Sequence, residues 1–372
     1  MHVCIRLPGA GVQVSIRRRT VGLAIGSKDM VAVRALGLDL ALQGGGAHGA
    51  FTWGVLDRLL AEERIWISAL SGASAGAANA AVFASGLVTG GREGAAAALA
   101  CFWEAIHRSG RSAGPLLPMM EAFPATFEAL SQMWSTMLGN VALPSSPDMG
   151  ARTQDLLREV FAEHIDFAAL RRPEAPRLFI SATDVRTGNA RIFENEELSS
   201  DVLLASACLP LLFPPVTIDG VDYWDGGYSA NPPIFPLIQN SPNDDMLLVT
   251  INPMSRAVTP RSGAEISNRL TEFSFNQTLI KDMRGLVLIQ NEVGPLAFGK
   301  GLLARLRRLR VHEIHDEATL GAMPAGSKMM PVREVLEQLH DAGRDAAEGW
   351  LAAHGEDLGR RGTADLATRY AP

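Results

Sequence analysis

A serine between two glycines is the first candidate catalytic group in this chain. An apolar run over residues 66–71 leads into Gly72-Ala73-Ser74-Ala75-Gly76, and an alanine-rich segment follows. A strand that turns sharply into a helix at such a serine exposes the hydroxyl beside the helix N-terminus, where free N–H groups favour negative charge. Small residues at positions 72 and 76 let the strand and the helix close on each other. The pattern predicts a nucleophile elbow with Ser74 as the nucleophile of a serine hydrolase.

A second copy of the same pentapeptide lies at residues 110–114, with Ser112 at its centre. No apolar strand precedes this copy, and Pro115 follows it directly. These neighbours predict a loop rather than a strand-to-helix turn. Ser112 is therefore the disfavoured alternative to Ser74.

A glycine-rich run lies upstream of the elbow, between an apolar strand pattern at 36–43 and a helical pattern at 50–61. Its residues are Gly44, Gly45, Gly46, Ala47, His48 and Gly49. Successive backbone N–H groups at such a turn can point into one cavity and hold a developing oxyanion. We predict an oxyanion hole formed by residues 45–48.

The same run supports a second interpretation, because Gly44, Gly46 and Gly49 also match the dinucleotide-binding fingerprint. That fingerprint calls for an acidic residue at the end of the next strand. The chain has Leu70 and Ser71 there, so nucleotide binding is the weaker hypothesis. Both interpretations predict that an anion binds at this turn.

A candidate base lies further downstream. Asp219-Gly220 separates two short alternating apolar runs, which indicates a hairpin turn. Asp225 ends the outgoing strand and is followed by Gly226 and Gly227, which let the backbone turn and expose the carboxylate. Asp225 could simply be another turn aspartate. Together with a serine that needs a base, it is the favoured general base.

Length and composition set the fold class. The chain has 372 residues, of which 47% are hydrophobic, so it can bury the core of one large domain. Its strand patterns alternate with helical patterns rather than forming separate blocks. This order predicts an α/β sandwich.

With these three segments in order, the chain resembles the patatin-like phospholipases, in their bacterial branch. The resemblance covers roughly residues 36–368 and includes the runs at 205–215 and 339–351. It implies a three-layer α/β/α sandwich with a mostly parallel central sheet. It also implies a serine acyl-ester hydrolase of lipids or phospholipids that uses a Ser74–Asp225 dyad and an acyl-enzyme, with no cofactor or metal. The family usually has arginine or lysine where this chain has His48, and often threonine where it has Ala73.

Two other functions stay open at this point. An α/β-hydrolase esterase would use a Ser-Asp-His triad, whose histidine would be His312, His315, His340 or His354. A non-catalytic lipid or nucleotide binder could also keep the same loop. His48 lies inside the loop, and an ordinary imidazole changes charge near pH 6.5, so we favour an electrostatic role for it over simple space filling.

The chain divides into three predicted parts. The apolar run within residues 1–35 is too short for a secretory signal, and Met30 would be an equally good start, so this segment reads as a flexible or mis-assigned N-terminal segment. Residues 36–290 form the predicted patatin-like catalytic domain, in which the Met- and Pro-rich stretch 113–149 is a candidate lid or acyl-chain wall. Residues 291–372 are predicted to be a C-terminal strand and helices packed on that domain.

Composition also bears on partners and location. The net charge is −6, and no basic face with interleaved aromatic residues occurs, so nucleic acid is not a predicted partner. Cys4, Cys101 and Cys208 are far apart, which indicates reduced thiols in the cytoplasm. The basic amphipathic stretch 301–310 suggests peripheral contact with a membrane. Nothing in the sequence indicates an oligomeric state.

Overall fold

The structure is a computed structural model of the chain. It describes residues 36–112, 147–210, 212–256, 258–261, 263–292, 301–323, 327–329 and 331–370. The predicted N-terminal segment 1–35 and nearly all of the candidate lid at 113–149 lie outside these residues. Both therefore remain predictions.

Strands and helices alternate along most of the described chain. The strands are β1 (Leu36–Leu42), β2 (Ile65–Gly72), β3 (Arg177–Asp184), β4 (Ala190–Glu194), β5 (Val216–Ile218), β6 (Val221–Asp225), β7 (Asp245–Val249) and β8 (Arg310–Ile314). The helices are α1 (Gly49–Leu60), α2 (Ala75–Ser112), α3 (Pro147–His164), α4 (Phe167–Leu170), α5 (Ser200–Ser206), α6 (Ile234–Asn240), α7 (Gly263–Glu292), α8 (Leu302–Arg308), α9 (Glu317–Ala322), α10 (Arg333–His354) and α11 (Leu366–Tyr370). Helix α2 is broken at Gly90 and Gly91.

These strands form one sheet in the order β5-β6-β3-β2-β1-β7-β8, with β4 also paired to β3. The five strands β3, β2, β1, β7 and β8 are parallel to one another. Strands β4 and β6 run antiparallel to β3, and β5 runs antiparallel to β6. The loops that follow parallel strands emerge at one edge of the sheet, so the segments after β1 and β2 are brought together there.

Helices cover both faces of the sheet, and the side chains of each strand alternate between two cores. On β7, Leu247 and Val249 join the core beneath α1, α2 and α10, whereas Met246 and Leu248 join the core beneath α6 and α7. The buried parallel strands are nearly continuous apolar runs, as strands covered on both faces must be. The predicted three-layer α/β/α sandwich with a mostly parallel sheet is confirmed.

Local predictions can be compared with these elements. The hairpin is confirmed, because Asp219 and Gly220 connect β5 and β6 with positive φ angles of 50° and 78°. The predicted loop at residues 110–112 is wrong, because α2 continues through Ser112. The expectation of three reduced thiols is also wrong for Cys101, which is disulfide-bonded, whereas Cys208 is a free and buried thiol.

The C-terminal part contributes to the same sheet and layers. Strand β8 pairs in parallel with β7, and α10 packs against α1 through Leu336 and Leu339 in the shared core. Helix α7 runs across the predicted boundary at residue 290. In the part of the chain that the structure describes, every helix is too short or too polar to cross a bilayer.

The contact between α1 and α10 depends on a glycine. A Cβ on Gly343 would overlap the carbonyl oxygen of Phe51 and would lie 3.1 Å from the backbone nitrogen of Val55. We expect Gly343→Ala to lower the free energy of unfolding by about 1–3 kcal/mol, because backbone atoms cannot move aside as side chains can. Thermal denaturation followed by circular dichroism measures the change.

Gly349→Ala is the matched control, since Gly349 lies in the same helix with open space where a Cβ would lie. There the added methyl group should raise stability by roughly 0.5–1 kcal/mol, because alanine restricts the unfolded chain. Equal effects of the two substitutions would contradict the packing argument.

Candidate active site

Ser74 lies in a strained turn between the end of β2 and the start of α2. Its φ angle is +52°, a region that residues other than glycine rarely adopt. A Cβ on Gly76 would overlap the carbonyl oxygen of Leu42 at the end of β1. The strand and the helix can close around the serine only because residue 76 has no side chain. This is the geometry of a nucleophile elbow.

The elbow is held from a second side by α5. The Ser74 backbone N–H donates to the Ser206 hydroxyl at 2.9 Å and to its carbonyl oxygen at 3.2 Å. Both groups are buried, so these bonds are well protected from water. They stabilise the position of the serine backbone and leave its side chain out of the contact.

The glycine-rich run lies directly beside the elbow. The Gly44 N–H donates to Asn231 Oδ1 at 2.7 Å, and the Gly44 carbonyl accepts from Asn252 Nδ2 at 2.8 Å. Residues 46–48 form a single 3-10 turn that continues into α1. The first N–H groups of such a turn have no acceptor within the helix, so they are available to an anion.

His48 is buried, with 2% of its surface exposed. Its Nε2 is 2.7 Å from the hydroxyl of Ser327. Burial lowers the pKa of His48 to about 3, and the positive charge of Lys328 acts in the same direction. The imidazole is therefore neutral at working pH, and the structure favours the space-filling role for His48 over a change of charge near pH 6.5.

Asp225 ends β6 and is completely buried. Its Oδ1 accepts from the Gly227 N–H at 2.7 Å, its backbone N–H donates to the Cys208 carbonyl at 2.8 Å, and its carbonyl accepts from the Thr183 hydroxyl at 2.7 Å. Burial raises the pKa of the carboxyl to about 7, against the opposing effects of the Gly227 N–H and the Ser74 hydroxyl.

The structure thus brings Ser74 and Asp225 together from segments about 150 residues apart in sequence. The serine hydroxyl affects the pKa of the carboxyl, yet by strict geometry Asp225 Oδ2 has no hydrogen-bond partner. A buried oxygen without a partner is costly to stability and is typical of a functional group. The arrangement leaves Oδ2 available to accept a proton.

The four histidines of the alternative triad have other contacts. His312 Nε2 lies 3.1 Å from Asp245 Oδ1 on the neighbouring strand β7. Its Nδ1 lies 2.9 Å from the hydroxyl of Thr363 in the C-terminal segment. His340 pairs with Asp57 of α1, and His354 pairs with Asp357 in the turn after α10. Burial lowers the pKa of His315, and the charge of Arg369 adds to this effect. None of these contacts involves Ser74 or Asp225.

Several residues of the site are absent from the sequence prediction. Asn231 and Asn252 fix the glycine-rich run, Ser206 holds the elbow, and the turn Ser327–Met329 packs against residues 46–48. Asn231 follows Asp225-Gly226-Gly227 closely enough that proximity to the motif could have indicated it. The other residues act through tertiary contacts, and no local pattern marks them.

The chain matches a known protein family over the segments that form this site. Residues 40–238, which make up more than half of the chain, match the family model described as patatin-like phospholipase. The matched span contains the glycine-rich run, the elbow and Asp225. No curated protein matches the chain.

A distant structural likeness was also found. The crystal structure of VipD from Legionella pneumophila aligns with 15% sequence identity and a TM-score of 0.40, covering 86% of this chain and 67% of that one. This likeness is too weak to add to the assignment. On the extent of the family match, the chain belongs to the patatin-like phospholipase family.

Proposed function

We propose that this protein is a serine acyl-ester hydrolase of lipids, of the bacterial branch of the family, with Ser74 as nucleophile and Asp225 as general base. The observation that carries the proposal is the strained elbow serine beside a fully buried carboxyl whose Oδ2 has no partner. Backbone strain and an unsatisfied buried oxygen both lower stability, and both are typical of active sites.

The first half of the proposed reaction transfers the acyl group to the enzyme. Asp225 Oδ2 takes the proton of the Ser74 hydroxyl while the serine oxygen attacks the ester carbonyl. The developing oxyanion lies against the backbone N–H groups of Gly45, Gly46 and Ala47. The protonated carboxyl then gives its proton to the leaving alkoxide, so that an alcohol or lysolipid departs and an acyl-enzyme remains.

The second half returns the enzyme to its starting state. Asp225, again ionised, removes a proton from a water molecule, and the resulting hydroxide attacks the acyl-enzyme carbonyl. The same amides hold the oxyanion, and Ser74 leaves with the proton from Asp225 as the fatty acid is released. A pKa of about 7 suits a group that must accept and return a proton near neutral pH.

The proposed substrate is an acyl lipid, and the proposed location is the cytoplasm with peripheral contact at a membrane. Phospholipids, lysophospholipids and neutral acyl esters all present the carbonyl that this mechanism needs. The exposed Leu302 and Leu303 on α8, with Arg307 and Arg308 on the same short helix, support peripheral contact with a membrane. A cytoplasmic location stays a prediction, and the disulfide at Cys101 removes one of its supports.

The two rival serines give the most direct test. Ser74→Ala should abolish hydrolysis of a p-nitrophenyl ester and labelling by a fluorophosphonate, because the variant lacks the attacking oxygen. Asp225→Asn should lower kcat to a similar floor, by about a thousandfold or more, and the double variant should be scarcely lower because the pair acts as a unit.

Ser112→Ala is the matched control and should keep the activity of the wild type, because α2 extends through that residue and no strand-to-helix elbow precedes it. Full activity of Ser74→Ala would contradict the proposal.

The pH profile separates the dyad from a triad. The base acts only when ionised, so kcat/KM should rise with pH up to about 7 as Asp225 loses its proton. This rise should persist in alanine variants of His312, His315, His340 and His354, each of which should cost less than about tenfold. Loss of about a thousandfold in one folded variant would favour the Ser-Asp-His triad.

Burial of Asp225 also predicts a stability change. The folded-state pKa of about 7 lies above the ordinary aspartate value of 3.8, so the stability linked to the bound proton is fully present below pH 3.8 and lost as pH rises through 7. Asp225→Asn avoids the ionised state and keeps an acceptor for the Gly227 N–H. Its melting temperature should therefore exceed that of the wild type by several degrees at pH 8, and by less at pH 5.

Asp222→Asn controls for the same substitution on the same strand, at a half-buried residue that bonds Thr217. Equal melting temperatures of the wild type and Asp225→Asn at both pH values would contradict the prediction that the buried carboxylate lowers stability.

A further inference from the structure

A short turn far along the chain forms one wall of the glycine-rich run. The carbonyl of Lys328 lies so close to Gly46, whose φ is +61°, that any side chain at position 46 would overlap it. The neighbouring Ser327 hydroxyl is 2.7 Å from His48 Nε2. The turn Ser327–Met329 therefore contacts the run at two points, although about 280 residues separate them.

The Lys328 side chain reaches the same run by a second route. Its ammonium group donates to Asn252 Oδ1 at 2.7 Å, and Asn252 Nδ2 donates to the Gly44 carbonyl at 2.8 Å. Asn252 Oδ1 also lies 3.4 Å from the position that a Cβ on Gly45 would occupy. The side-chain amide of Asn252 thus links the ammonium of Lys328 to the glycine-rich run, whose backbone N–H groups face the anion site.

The charges around Lys328 reinforce a positive potential at this place. Glu272 is completely buried, and it forms ion pairs with Arg256 and with Arg269, the latter at 2.9 Å. The two guanidinium groups and the ammonium group outnumber the single carboxylate. His48, the remaining titratable group at the contact, is neutral.

We propose that Lys328 is a positioning residue that places a positive charge behind the oxyanion loop, acting through Asn252. The proposal rests on the proposed acyl-ester hydrolysis. Negative charge develops on the substrate oxygen in the transition state, and a cation in a buried, preorganised position stabilises that charge more than it stabilises the neutral ester. Such an effect raises kcat and leaves KM nearly unchanged.

The charge of Lys328 gives the proposal a distinct pH signature. Burial lowers the pKa of Lys328 to about 8, and the nearby Glu272 opposes that shift. Although burial of Glu272 works against its ionisation, hydrogen bonds from Arg256 and Arg269 lower the pKa of that carboxyl. Arginine does not lose its proton in this range. Among Lys328, Glu272, the two arginines and His48, Lys328 is the group that changes charge near pH 8.

The test measures kcat and KM for a soluble p-nitrophenyl ester from about pH 5.5 to 10, with the rate in Ser74→Ala subtracted as background. In the wild type, kcat should fall about tenfold between pH 7 and 10 as the ammonium loses its proton. Lys328→Met should show a kcat about tenfold lower at pH 7, with KM within about twofold, and no further fall above pH 8. Lys328→Arg should keep most of the activity and also show no fall above pH 8.

Lys281→Met is the matched control, since it makes the same change at an exposed position on α7 and should leave the wild-type profile intact. Thermal denaturation shows whether each variant is folded, and Lys328→Arg tests the charge even where Lys328→Met does not fold. A wild-type fall above pH 8 that persists in Lys328→Arg would overturn the proposal, as would a Lys328→Met enzyme with wild-type kcat.

The underlying function is checked separately with a fluorophosphonate. A wild-type protein that neither reacts at Ser74 nor hydrolyses esters would refute the hydrolase itself. An active, labelled wild type with an unchanged Lys328→Met profile would refute only the role of Lys328.

Discussion

The site depends on the close approach of three stretches of backbone at one edge of the sheet. Gly76 lies directly against the end of β1, and Gly226 lies against the backbone of β3 so closely that a Cβ would overlap its carbonyl oxygen. A side chain at either place would separate the elbow or the Asp225 turn from the sheet. The serine, the glycine-rich run and the carboxyl can therefore share one small volume only while these positions stay small.

That close packing also explains the state of Asp225. A carboxyl that loses all contact with water is disfavoured as an anion, and two or three well-placed donors can restore its usual pKa. Here one N–H, from Gly227, donates to the carboxylate, while Thr183 donates to the backbone carbonyl instead. The carboxyl is therefore incompletely solvated by the protein. Incomplete solvation costs stability and at the same time produces a base that is effective near neutral pH.

The parts of the fold that depend on local pattern could be predicted from the sequence. Alternating apolar strands and helices indicate the layered α/β sheet, and Asp219-Gly220 indicates the hairpin. The motif residues Ser74 and Asp225 are recognisable because each motif needs glycines beside it for steric reasons. The end of α2 was mispredicted because the following Pro115 suggested a loop, whereas the helix continues through Ser112.

The residues that hold the motifs in place could not be predicted in the same way. Ser206, Asn252 and Lys328 contact the site from segments that are distant in sequence, and each belongs to an ordinary local pattern. A buried hydrogen bond depends on the final distance between two atoms, and that distance is a property of the whole packed structure. Sequence periodicity reports which face of an element is buried, but it does not report which polar group lies opposite.

The departure of this chain from the family pattern at position 48 follows from the same packing. A charged imidazole at His48 would lie close to the ammonium of Lys328, and both would be largely removed from water. Two cations held close together and largely away from water repel each other, so a neutral state of one of them is favoured. Glu272 is the leading charge that acts on Lys328, whereas for His48 burial and the charge of Lys328 come before that of Glu272. The direct contact of His48 Nε2 is the neutral hydroxyl of Ser327. The positive charge therefore resides on the turn after α9, and the loop itself retains the small neutral residues that its tight backbone requires.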